Sequence, residues 1–187
     1  MVKRTKEVAL IGFLTALIAV TGMIKLPGLV PGTEFQFSAP VAVGICASFG
    51  VKRYLVSGVL ASLVSLALGL QTVLNVAVSM SFRVAAGMLL LLLGNTFVVV
   101  ILAGPFGTFC GRLVLALLTH TNVWVLVAAA GVGMVYTAVL SYPLYRGFAY
   151  LARIGGFREF LVPKRNPVGQ LFRWRPKRKE AVSRDIV

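Results

Sequence analysis

Apolar runs long enough for helices alternate along the chain with short clusters of glycine, proline and charge, and the pattern resolves into six segments. The first runs from about Glu7 to Ile24 and carries small residues at Ala9, Gly12, Ala16 and Ala19. Gly12 and Ala16 lie four apart, so they share one helix face and let another helix approach closely, either inside the bundle or from a partner. The second, about Ser38 to Phe49, has Ser38 as a candidate cap and Pro40 in its first turn. At roughly 1.5 Å per residue it covers only about 20 Å of a bilayer core about 30 Å thick. The connection before it, Lys25 to Phe37, is therefore expected to dip toward the bundle, as a lid or as a plain surface connection. The third segment, about Tyr54 to Leu70, follows a basic turn at Gly50 to Arg53 and aligns Gly58, Ala61, Ser65 and Gly69 in a narrow small-residue stripe.

Segments four and five have two framings. One places helices at about Val73 to Leu93 and Thr96 to Leu118 with a break at Gly94 and Asn95; the other runs a single helix from Val84 to Ala103 and turns at Gly104-Pro105. The sixth segment runs from about Val123 to Tyr145 after an outer turn containing His120, read as solvated. Beyond it, arginines and lysines mix with Phe157, Phe160, Leu161, Phe172 and Trp174, which predicts short interfacial pieces and a basic end. Residues 1–150 read as one unit and 151–187 as its tail.

Composition turns this pattern into a class. With 58% hydrophobic and 13% charged residues in 187 and a mean hydropathy of +0.91, the chain reads as an all-α integral membrane protein, a bundle of six transmembrane helices. The continuous runs do not fit the alternating strands of a membrane barrel. The net charge of +14 is concentrated before the first segment, at Lys52 and Arg53, and in the eleven basic residues after Tyr145. That distribution fits cytoplasmic anchoring with both termini inside, and contact with anionic membrane lipids, rather than nucleic-acid binding. Cys46 and Cys110 read as small buried hydrophobes, and the basic start and first apolar run as a retained span, not a cleaved signal.

The chemistry concentrates between Phe82 and Arg112. Arg83 and Arg112 lie in apolar sequence, and no acidic residue occurs between Glu34 and Glu159 to neutralise them. A guanidinium stays charged and is costly in hydrocarbon, so such arginines either meet an anionic ligand, or snorkel or cap backbone carbonyls at broken helix ends. Asn75, Ser79, Asn95 and Tyr136 are further candidates for polar ligand contacts. No phosphate-binding loop, HExxH, intramembrane carboxylate pair or serine–histidine–acid set is present, so neither an enzyme nor a cofactor is expected.

The small-residue first helix (EVALIGFLTALIAV), the first loop (LPGLVPGTEFQFSAP), the short second helix ending at a basic turn (SFGVKR) and the small-residue helix after it resemble the substrate-binding S components of energy-coupling factor vitamin transporters over residues 3–150. The run VPGTEFQ is similar to the biotin-specific members. The resemblance implies capture of a carboxylate-bearing vitamin such as biotin, pantothenate or nicotinate, and transfer through an energy-coupling transmembrane subunit and a pair of ATPases. It implies that Gly12 and Ala16 face that coupling subunit, and that the first loop, with Glu34 and Gln36, closes over the substrate beside the two arginines. A membrane scaffold that transports nothing, part of a cell-envelope or morphogenesis complex, is the alternative.

Overall fold

A computed structural model describes residues 2–26 and 35–163. Its six helices are α1 (Val2–Met23), α2 (Ser38–Phe49), α3 (Val51–Ala67), α4 (Val73–Leu93), α5 (Phe97–Thr119) and α6 (Val123–Ile154). Two-residue strands, β1 (Lys25–Leu26) and β2 (Phe35–Gln36), pair antiparallel between α1 and α2, and a 3-10 turn at Arg158–Phe160 follows α6. Residues 27–34, with Glu34, and 164–187 lie outside the described residues.

Local chemistry explains the boundaries. Thr72 accepts the Asn75 N–H and Asn122 the Trp124 N–H, which caps α4 and α6 at their starts. Gly50 (φ 87°) and Gly94 (φ 80°) end α2 and α4 in a backbone region that other residues rarely enter. The break at Gly94 and Asn95 selects the first framing of segments four and five; α5 runs through Gly104-Pro105 instead of turning there. Four expectations need correction. Ser38 is the first helical residue, not a cap, and its hydroxyl lies 3.5 Å from Gln36 Oε1. Lys52 and Arg53 belong to the first turn of α3, leaving Gly50 alone as the break. Gly69 lies past the end of α3 with a positive φ, outside the small-residue stripe. Finally, α6 continues nine residues past Tyr145, because Pro143 removes one backbone donor without ending the helix.

Packing forms a closed ring in the order α1, α3, α4, α5, α6, α2, and α2 also reaches inward to touch α3, α4 and α5. Every residue from Pro40 to Phe49 is buried, as expected of a helix that is apolar all round. The shortest helix is therefore the core of the bundle. Glycines set the closest approaches. A Cβ at Gly107 would lie 2.9 Å from the Phe82 ring, one at Gly111 3.3 Å from Val78, and one at Gly104 would collide with Thr137. These contacts draw α4, α5 and α6 together by direct van der Waals packing. Large apolar residues such as Phe13, Leu63, Leu92, Val98, Trp124 and Val139 cover the outside. Four helices, α1 from Arg4, α4, α5 and α6, are long and apolar enough to cross a membrane.

The two ends of the bundle differ in charge. The end where α2 meets α3 and α6 stops carries Lys52, Arg53, Arg146, Arg153 and Arg158, and we call it the basic end. There Arg53 donates to Glu7 Oε1 at 2.9 Å and to the carbonyls of Phe49 and Phe160, both at 3.2 Å, and lies 5.0 Å from the Phe160 ring centroid. One side chain thus ties α1, α2, α3 and the 3-10 turn together, and the Val162 N–H adds a bond to the Ser48 carbonyl.

Candidate functional site

A cavity of about 430 Å³ occupies the half of the bundle away from the basic end, lined by all six helices and by Gln36 of β2. Its volume is that of a small-molecule site. Arg83 and Arg112 both line it. They come from adjacent helices held close by Gly107 and Gly111. Arg83 lies ten residues into α4, about 15 Å from its start, and Arg112 seven residues before the end of α5, about 10 Å deep.

Arg83 is only 7% exposed. One of its terminal nitrogens donates to Ser62 Oγ at 2.6 Å and to Ser79 Oγ at 3.4 Å. Its stem crosses Gly58, where a Cβ would fall 2.7 Å from Arg83 Cδ and Nε. The small residue that sequence patterning assigns to helix packing therefore makes room for this arginine. Arg112 is half-buried and, among the described residues, makes no hydrogen bond or ion pair. Neither arginine caps a backbone carbonyl; the Gly104 carbonyl beside Pro105 accepts instead from Thr108 Oγ1 at 3.0 Å. Among the described residues no carboxylate lines the cavity.

Asn75, Ser79 and Gln36 join the arginines at this cavity. Two other predicted residues do not. Asn95 lies at the basic end, where its amide donates to the Ala47 carbonyl at 3.3 Å and the Tyr145 hydroxyl at 3.4 Å. Tyr136 stands outside the lining with its ring 6.3 Å from that of Phe37, because Ala130, Gly133 and Thr137 form the inward face of α6 and position 136 is turned away from it. Glu34 is outside the described residues. Sequence reading missed Gln71, Ser62, Thr108 and Thr137 as lining residues. Gln71 is the most informative of these, since its Oε1 is buried without a hydrogen-bond partner among the described residues. Gln71 thus lines the same cavity as the two guanidinium groups.

On α1, Leu10, Leu14 and Ile18 are buried while Gly12 and Ala16 are exposed, and a Cβ at Gly12 would meet nothing within 4 Å. The small pair therefore does not pack inside the bundle.

No family model matches the chain, and no solved structure matches it. It is 47% identical over 140 residues to Protein BioX of Lysinibacillus sphaericus, a match that covers 75% of this chain and 84% of that protein. At that identity and coverage the chain belongs to the BioX family.

Proposed function

We propose that this protein is the substrate-binding subunit of an ATP-driven micronutrient transporter in a bacterial cell membrane, and that it captures a small carboxylate-bearing vitamin. In this reading all six helices cross the bilayer, with the basic end cytoplasmic as the distribution of lysine and arginine favours. The cavity then opens outward. The observation that carries the reading is the convergence of Arg83 and Arg112 on one cavity with no carboxylate among the described residues to neutralise them. An anionic ligand supplies the missing partner through charge-assisted hydrogen bonds. Ser79, Asn75, Gln36 and Gln71 serve its remaining polar groups. Biotin, pantothenate and nicotinate all meet this description, and the relative's name favours a biotin-linked compound. The exposed Gly12 and Ala16 face supports docking of an energy-coupling membrane subunit that carries two ATPases. The protein is read as a binder, not an enzyme.

Titrating the purified full chain with the three acids tests the proposal. At least one binds, and Arg112→Ala weakens it by about tenfold or more, the cost of one charge-assisted contact. Failure of all three acids to bind, or unchanged affinity in both single arginine variants, removes the anion site.

A further inference from the structure

A second cavity, of about 660 Å³, lies at the basic end and has no part in the proposed substrate site. It exists because α6 runs past Pro143 to Ile154 and residues 155–163 then fold back, fastened by the Val162 N–H to the Ser48 carbonyl at 2.8 Å. Arg146, Arg153 and Arg158 line it, and among the described residues no carboxylate does. Arg146 lies 3.4 Å from the Tyr142 hydroxyl; Arg153 and Arg158 have no hydrogen bond or ion pair among the described residues.

The rest of the wall is mixed in character. Ser48 and Asn95 are buried in the floor, while Phe97 and Tyr150, also lining residues, are 55% and 65% exposed on the outer surface of the bundle. Val98, Leu151 and Ile154 continue that exposed apolar surface along α5 and α6. The cavity thus offers three forked cations in its wall and an apolar flank beside them. A guanidinium fork matches phosphate oxygens in geometry as well as in charge. Basic pockets between helices at the cytoplasmic side of a membrane are suited to anionic headgroups.

We infer that this cavity binds the phosphate headgroup of an anionic phospholipid, with Arg153 and Arg158 holding the phosphate and the acyl chains lying along Phe97, Tyr150 and the apolar surface beside them. A soluble phosphate would use the arginines but gain nothing from the flank. An acidic peptide would not require it either.

Native mass spectrometry of the full chain, released from mild detergent after incubation with dioleoyl-phosphatidylglycerol or dioleoyl-phosphatidylcholine, tests this. The wild-type chain retains one phosphatidylglycerol, excess phosphatidylcholine or inorganic phosphate does not displace it, and Arg153→Ala with Arg158→Ala lowers its retention by about tenfold or more, given about 1 kcal/mol per basic contact. Removing three charges further along the sequence, by Lys177→Ala, Arg178→Ala and Lys179→Ala, leaves retention unchanged. Thermal unfolding of the double variant at the wild-type temperature shows that the fold is intact. Equal retention by the double variant, an equal loss in the three-charge control, or displacement by inorganic phosphate would overturn the inference.

Discussion

Arg53 and the pair Arg83 and Arg112 are the same residue type in two halves of one bundle, with opposite surroundings. At the basic end Arg53 has a carboxylate, two carbonyls and an aromatic face. In the other half Arg83 has two serine hydroxyls and the Met80 sulfur, and Arg112 has no hydrogen-bond or ion-pair partner among the described residues. Leaving a guanidinium short of partners in an apolar setting costs stability, and a fold tolerates that cost where something outside the chain completes the set. The saturated arginine holds helices together. The other two arginines, neither with an anionic partner among the described residues, line a cavity of ligand size together with a glutamine oxygen that has no hydrogen-bond partner among them.

This contrast predicts a graded set of outcomes. Arg112→Ala has the largest effect on ligand affinity, about tenfold or more, with little change in thermal stability because it breaks no bond within the described chain. Gly58→Ala comes next. Its new Cβ meets the Arg83 stem at 2.7 Å and forces the guanidinium off the cavity wall, which lowers affinity by roughly threefold to tenfold in the same titration. Arg53→Ala reverses the pattern: affinity holds, while unfolding in detergent shows a loss of about 1–2 kcal/mol, the sum of a half-exposed ion pair and a cation–ring contact. Tyr136→Phe is the smallest change. Binding stays within about twofold, since its hydroxyl is not part of the cavity and surface changes away from a site are near neutral. A large loss of binding in Arg53→Ala, or in Tyr136→Phe, would dissolve the distinction between the two halves.

Which of these features could be read from the residues follows from their physics. The limits of α2 were legible because Pro40 and Gly50 act locally, whereas Gly94 and Gly104-Pro105 offered two competing breaks and left those of α4 open. Arg83 and Arg112 were legible because a permanent charge in apolar sequence demands an explanation. The centrality of α2 was less so, since a short apolar run looks the same buried or peripheral until its neighbours are placed. Asn95 and Tyr136 failed as site residues for a related reason. Polarity in an apolar helix announces that a partner exists, but helix rotation decides which one, and here Asn95 turns to Ala47 and Tyr145. Gln71 was hidden in the connection between α3 and α4, where a polar residue is ordinary.

The most direct test removes the charge from the ligand instead of the protein. Whichever of biotin, pantothenate or nicotinate binds the wild-type chain best should be compared with its methyl ester, in wild type and in Arg112→Ala, so that the four affinities isolate the contact between the two charges. The account predicts that esterification weakens wild-type binding by about tenfold or more and that most of this difference disappears in Arg112→Ala. An ester that binds the wild-type chain as tightly as the acid would contradict it.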